Sequence, residues 1–475
     1  MPWKRKKRIK ISSRKKIGFV PSGTGREGKV NMEKKQKVGM VSLGCTKNQV
    51  DAEMMLALID QGGFEICGDP EQCDAIIINT CGFIEDAKRE SIENILEFCR
   101  MKEEGKVKAV VVTGCLAERY QQEVAKEIPE ADVVLGIGAN GDIVSALQAA
   151  LAGKQVTRFP DKKALPLEGD RVLTTKPYTA YIKIAEGCDN CCTYCAIPLI
   201  RGGFRSRRMQ DIVEEAKELA RRGVKELNVV AQDTTRYGVD LYGAPKLARL
   251  LRELCKIEGL HWIRVLYGYP DRIDDELIET IAKEPKIVKY IDVPLQHASG
   301  KVLREMNRRG DRQSLTRLME KLRANIPGMV LRTTLITGFP GESEADFEEL
   351  CSFVEDIRFD RLGCFAYSAE EGTTAGERTD QIDPEIRRRR AEIIMERQYA
   401  IMEEKNAAQM GRSLEVLCEG YDPQSGVYVG RSYMDAPDID SQIYFTSERP
   451  CQEGEFYQVT IDSAQNYDLM GHRGR

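Results

Sequence analysis

A chain of 475 residues with 42% apolar side chains has material for two to four domains, each with a core of its own. No run approaches the ~18 apolar residues of a membrane span, and no roughly 7–15-residue apolar stretch follows the charged N-terminus as in a secretory signal. Fifteen cysteines in a chain expected to stay in the cytoplasm point to metal ligation or thiol chemistry rather than disulfides.

The net charge of −4 divides unevenly. Residues 1–37 carry 14 Lys and Arg against Glu27 and Glu33, so +12 at the head is balanced by −16 in the rest. The head, residues 1–36, lacks periodic apolar positions and is expected to be a basic disordered extension. Met32 is the favoured start, a nucleic-acid-binding arm is the competing reading, and no function is placed on the head.

From residue 37 to 152 three short apolar runs each end in a cysteine and lead into a helical pattern. "KVGMVSLGC" ends in Cys45, "CDAIIINTC" in Cys81 and "VKAVVVTGC" in Cys115. Strand and helix periods in alternation predict βα units and a parallel sheet, whose carboxyl ends share one edge. One cysteine after a buried strand is most often a small core residue. Three at the same topological position suggest a joint site, which as three thiolates leaves one metal position open. Zinc remains possible for this trio taken by itself. Cys67, Cys73 and Cys99 lack the strand-end placement and are read as structural.

The next region, residues 174–405, opens with "YTAYIKIAEGC", a strand running into the loop "EGCDNCCTYCAIP". Cys188, Cys192 and Cys195 form C-x3-C-x2-C, and Cys191 is an extra thiol. Cys188 and Cys191 make a zinc-like C-x2-C pair, but no C-x2-C pair outside this loop and no histidine cluster accompanies them, which disfavours zinc. Five more strand candidates alternate with helical patterns, predicting an open, partial (βα)6 barrel with functional groups at the strands' carboxyl ends. Gln232, Gln296 and "TGFPGE" (337–342) occupy such ends, either lining a pocket or capping loops. The basic stretch "RGGFRSRR" (201–208) reads as flexible, either binding a carboxylate or simply solvated. A helical connector over 384–409 is predicted to pack through Ile386, Ile393, Ile394, Ile401 and Met402. Short β-rich runs then predict a small β-barrel over 407–474. Residues 411–475 hold five Arg, no Lys and 11 Asp or Glu, a balance poor for phosphate contacts and suited to a basic protein partner.

These stretches together resemble the radical S-adenosylmethionine methylthiotransferases, and within them the RimO-type branch that acts on a ribosomal protein. The resemblance runs from about residue 37 to the C-terminus. It is carried by "VSLGCTKNQVDAE", "INTCGFIEDAKRESI", "VTGCLAERY", "EGCDNCCTYCAIP", "DVPLQHASGKVLREMNRRG" and "GCFAYSAEEGT". Thr46, where this branch commonly has Pro, and Cys191, where a non-cysteine is usual, depart from it without removing a ligand. The resemblance implies an α/β fold of three parts: an N-terminal methylthiotransferase domain, a radical barrel and a C-terminal TRAM barrel. It implies two [4Fe–4S] clusters, one on Cys45, Cys81 and Cys115 and one on Cys188, Cys192 and Cys195, with S-adenosylmethionine at the second and Tyr194 beside its adenine. The implied reaction places a methylthio group on the β-carbon of an aspartate in the twelfth small-subunit ribosomal protein, free or within the small ribosomal subunit. The same chemistry on a tRNA adenosine is the nearest alternative. A non-enzymatic iron–sulfur carrier or zinc scaffold would explain the cysteines but not the barrel.

Overall fold

A computed structural model of the chain describes residues 35–474; the predicted basic head, up to residue 34, lies outside them. The described chain divides after Thr175 into two compact units. In the first, strands β1 (Lys37–Ser42), β2 (Glu65–Ile66), β3 (Ala75–Thr80), β4 (Ala109–Gly114), β5 (Val133–Leu135) and β6 (Val156–Arg158) form one parallel sheet ordered β2-β1-β3-β4-β5-β6. The unbroken apolar runs of β3 and β4 follow from burial on both faces. Ile77 and Val111 join one core with Met55, Ile59 and Leu147, from the helices Thr46–Gln61 and Ile143–Leu151. Ile76, Ile78, Val110 and Val112 join the other with Ile95 and Phe98 of the helix Glu85–Glu103. The side strands β2, β5 and β6 are only two or three residues long and carry no period of their own.

The second unit begins with β7 (Thr179–Lys183) and a small antiparallel pair, β8 (Ala185–Glu186) and β9 (Arg205–Ser206). Then come β10 (Glu226–Val230), β11 (Trp262–Val265), β12 (Ile287–Asp292), β13 (Val330–Thr337) and β14 (Arg361–Ala366). With β7 they form a parallel sheet ordered β14-β13-β12-β11-β10-β7, and β7 and β14 remain as its two edges. The expected open six-stranded βα repeat is present.

Helix Glu344–Ile357, between β13 and β14, starts with a capping box in which Ser343 and Asp346 satisfy each other's backbone N–H groups. Asp346 also accepts from Ser299 Oγ (2.7 Å) and Lys301 Nζ (3.0 Å). Burial alone would raise its pKa, but the hydrogen bonds from Ser343, Ser299 and Lys301 outweigh it and hold the carboxyl below its ordinary value of 3.8. A carboxyl held down in this way stabilises fully above pH 3.8, and that contribution is lost as pH falls further. Asp346→Asn is therefore expected to cost about 1–2 kcal/mol near neutral pH. In melting curves taken from pH 6 downward, its deficit should shrink below pH 4.

The connector helix spans Pro384–Ala407. Ile394, Ile401 and Met402 are buried as expected, but Ile386 is 47% exposed and Arg387 and Arg390 turn inward instead. Arg390 pairs there with Glu342 (2.7 Å), and Arg387 donates to the Tyr367 carbonyl (3.2 Å), so buried acceptors rather than apolar period set this face.

The remaining strands, β15 (Ser413–Asp422), β16 (Val427–Ser432), β17 (Ile443–Thr446), β18 (Phe456–Gln465) and β19 (Asp468–Arg473), close a barrel ordered β15-β16-β17-β19-β18. The last β-rich run is thus two strands, turning at Asn466 with φ 55°. Ion pairs in both directions join the barrel to the α/β part of this unit. Glu226 of β10 binds Arg431 (2.7 Å) and Arg264 of β11 (3.2 Å). Asp435 pairs with Arg361 (2.5 Å), and Asp440 with Arg332 (3.3 Å) and the Tyr290 hydroxyl (2.7 Å). Glu453 and Glu455 pair with Lys176 and Lys225. Four of the 11 acids of 411–475, Asp435, Asp440, Glu453 and Glu455, thus hold this seam, and only the others are left for a basic partner.

Candidate functional site

In the first unit the three strand-end cysteines are gathered at one edge. β1, β3 and β4 are neighbours, with Ser42 opposite Asn79 and Thr80 opposite Gly114. Cys81 and Cys115 directly follow the last pair, and Cys45 caps the helix that follows β1. Gly44, at φ +85°, lies so close to Cys81 that a Cβ on it would stand 2.8 Å from the Cys81 sulfur. Gly82 approaches the backbone of Cys115 and Leu116 equally closely. Buried Asn48 braces the edge: its Nδ2 donates to the carbonyls of Leu43 (2.8 Å) and Thr80 (3.2 Å), and its Oδ1 lies 3.9 Å from the Cys115 sulfur. Ser91 fixes Cys81, accepting from its N–H (3.0 Å) and donating to its carbonyl (2.9 Å).

In the second unit the loop after β8 carries Cys188, Cys192 and Cys195. Gly187 (φ +74°) lets the chain pass against Gly203, whose carbonyl would stand 2.1 Å from an added Cβ, and Cys188 N–H donates to the Gly202 carbonyl (3.0 Å). A turn joins the other two, with Cys195 N–H donating to the Cys192 carbonyl (3.0 Å). Polar groups from distant elements pin the loop. Asn190 donates to buried Asp233 (2.9 Å), Arg272 donates to Asn190 (2.9 Å) and pairs with Asp233, and Asp189 pairs with Arg236 (2.9 Å). Thr193 donates to the Glu305 carbonyl (2.8 Å), and Asn307 to the carbonyls of Asn190 and Cys191 (3.2 and 3.0 Å). Cys191 itself is exposed at φ +50°. Tyr194 is half-buried against Val302, Met306, Phe339, Tyr367 and Ala375.

Two sulfurs receive donors of their own, Ile197 N–H on Cys195 (3.4 Å) and Arg308 Nη1 on Cys192 (3.7 Å), and the Tyr269 hydroxyl stands 4.0 Å from the Cys192 sulfur. Burial pushes the Cys188 thiol up to about 11 and the Cys195 thiol higher still. A bound cation reverses that preference, because a coordinating thiol is deprotonated outright. Among the described residues no three His, Cys, Asp or Glu side chains gather around a single ion. Three thiols on one short loop, with donors aimed at their sulfurs, instead fit a cube ligated at separate corners with one corner open.

Other predicted positions resolve differently. Gln232 donates to Glu186 Oε1 (3.1 Å), and its own Oε1 is buried without a partner. Gln296, at φ +72°, bridges to Leu335 through its backbone. "TGFPGE" is a turn closed on itself: Glu342 accepts from the N–H groups of Gly338 (2.8 Å) and Phe339 (3.2 Å). "RGGFRSRR" is neither flexible nor solvated throughout. Arg201 is 2% exposed against Glu186, and Arg207 is buried against Glu215 (2.6 Å) and the Lys183 carbonyl. Asn48, Asp233, Arg272, Asn307 and Arg308 were not found from sequence, although Asn48, Asn307 and Arg308 lie within stretches that carry the resemblance.

Known proteins resemble the chain in each of its three parts. Residues 37–136 match the Uncharacterized protein family UPF0004, residues 182–354 the Radical SAM superfamily, and residues 410–473 the TRAM domain. The chain is 51% identical over 437 residues to the ribosomal protein uS12 methylthiotransferase RimO of Caldanaerobacter subterraneus subsp. tengcongensis, covering 92% of this chain and 99% of that one. It is also 51% identical to the protein of that name from Desulforamulus reducens, over 91% and 98% of the two chains. Among solved structures, the radical S-adenosylmethionine methyltransferase TsrM from Kitasatospora setae shares the fold with a TM-score of 0.53 at 14% identity, over 72% of this chain and 75% of that one.

Proposed function

Since the chain belongs to the RimO family of radical S-adenosylmethionine methylthiotransferases, we propose that it methylthiolates the β-carbon of an aspartate in ribosomal protein uS12, free or within the small subunit, in the cytoplasm. Identity of 51% over 92% of the chain to an enzyme of that name carries the reading. When bound, two [4Fe–4S] clusters and S-adenosylmethionine would supply a 5′-deoxyadenosyl radical and the methylthio group for a C–H bond that offers no acid–base handle.

The chain's own part is to hold and orient. Cys188, Cys192 and Cys195 would each take one iron, on a loop that the Asp233–Asn190–Arg272 group holds in place. Tyr194 would lie beside the adenine, backed by the apolar side chains it packs against. Cys45, Cys81 and Cys115 would hold the second cluster at the edge braced by Asn48. The substrate aspartate must be fixed within reach of the radical for its hydrogen to be taken, which is a matter of position rather than acidity.

Because four of the barrel's 11 acids serve the seam, charge is a lesser argument against a tRNA adenosine, and the substrate choice rests mainly on the relatives. The test gives anaerobically reconstituted protein dithionite, S-adenosylmethionine and either uS12 or tRNA, then measures mass. A methylthio gain on one aspartate of uS12 is expected. A gain on tRNA with uS12 unchanged would overturn the substrate and leave the chemistry standing.

A further inference from the structure

Helix Gly300–Glu305 ends in a turn that does two things at once. Asn307 adopts φ +56° and clasps the carbonyls of Asn190 and Cys191, and Arg308 N–H then donates to the Leu303 carbonyl (2.7 Å). The turn leaves the Arg308 side chain 7% exposed and directed at the cysteine loop. Its guanidinium lies 4.2 Å over the Tyr269 ring, Nη2 donates to the Pro294 carbonyl (2.6 Å), and Nη1 reaches the Cys192 sulfur (3.7 Å). The Tyr269 hydroxyl stands 4.0 Å from the same sulfur. An arginine pairing only for stability would be expected to meet a carboxylate; this one meets a carbonyl, a ring and a sulfur. The Cys188 and Cys195 sulfurs have no such cation within hydrogen-bond reach among the contacts described, although the charge of Arg308 also acts on Cys195.

We infer that Arg308, aided by the Tyr269 hydroxyl, is a positioning residue that raises the reduction potential of the cluster on Cys192 and so eases delivery of the electron that starts the reaction. The inference rests on the function proposed above. Hydrogen bonds to cluster sulfurs and nearby positive charge stabilise the reduced, more negative state. A charge-assisted donor in a buried setting does so more strongly than an exposed one.

The test uses the full chain with Cys45→Ala, Cys81→Ala and Cys115→Ala, so that one cluster remains, and follows its reduction by electron paramagnetic resonance at set potentials. Arg308→Met should keep its iron and shift the reduction equilibrium about tenfold against the reduced form, about 59 mV for one electron. Arg308→Lys should restore part of this, because it keeps charge but loses the fork that serves sulfur and carbonyl together. Tyr269→Phe should give a smaller shift of the same sign. An unchanged potential in Arg308→Met with full iron would overturn the inference. If that variant takes up no iron, Tyr269→Phe decides, and an unchanged potential there overturns it equally. A parent protein that holds no cluster would instead overturn the proposed function, and this inference with it.

Discussion

Cys192→Ala is expected to abolish both 5′-deoxyadenosine release and methylthio transfer, each by more than about 100-fold, since even the groups behind a metal ligand typically contribute about 10–100-fold. Alanine at Cys45, Cys81 or Cys115 should abolish transfer while deoxyadenosine still forms, because those thiols lie in the first unit and Cys192 in the second. Each class of variant should lose about half the iron of the parent. The three measurements are chromatography of the nucleoside, mass of the substrate and iron content. Loss of deoxyadenosine in Cys115→Ala with the second cluster intact would contradict the division of roles. Retained transfer in Cys45→Ala would remove that residue from the site. Cys191→Ala, at an exposed position whose carbonyl rather than thiol is used by Asn307, should leave both activities near those of the parent.

The parts of the site legible in sequence are those in which local pattern and chemistry coincide. A β-rich run ending in cysteine, three times over, fixed both the parallel sheet and the shared edge, because strand ends in such a sheet cannot avoid one another. The Cys188 loop was legible because its three thiols are local in sequence. What supports them is not local. Asp233 and Arg272 reach Asn190 from 43 and 82 residues away, and Arg308 reaches Cys192 from 116. A single polar residue of that kind has no period and no spacing to betray it. The same reason explains the error over "RGGFRSRR": a basic run reads as solvated until Glu186 and Glu215 are seen to bury two of its arginines. It also explains Ile386, displaced to the surface because Arg387 and Arg390 have buried acceptors that no apolar period announces.

The largest expected effect on stability lies at the seam, in Glu226→Gln. Glu226 is fully buried and shared between Arg431 and Arg264, which are themselves buried. Replacing such a pair by well-packed apolar groups is often neutral, but removing one member leaves charge stranded in a low dielectric at a cost of about 3–5 kcal/mol. Here one carboxylate answers two guanidiniums, and Glu419, which also contacts Arg431 (2.8 Å), can compensate only in part. The variant should melt several degrees lower, read by calorimetry. Its pH dependence separates lost charge from lost packing. Burial alone would raise the Glu226 pKa, but Arg431 and Arg264 outweigh it and hold the carboxyl below its ordinary 4.5. Its stabilisation is therefore complete above pH 4.5 and is lost as pH falls through the depressed value. Asp435 and Glu419 are shifted the other way, with burial outweighing their arginines, so on acidification they protonate earlier in the folded state and do not add to that loss. The gap between parent and Glu226→Gln should thus be widest near neutral pH and narrow below pH 4.5. A gap that stayed constant down to pH 3 would assign the effect to packing and remove the charge from the account.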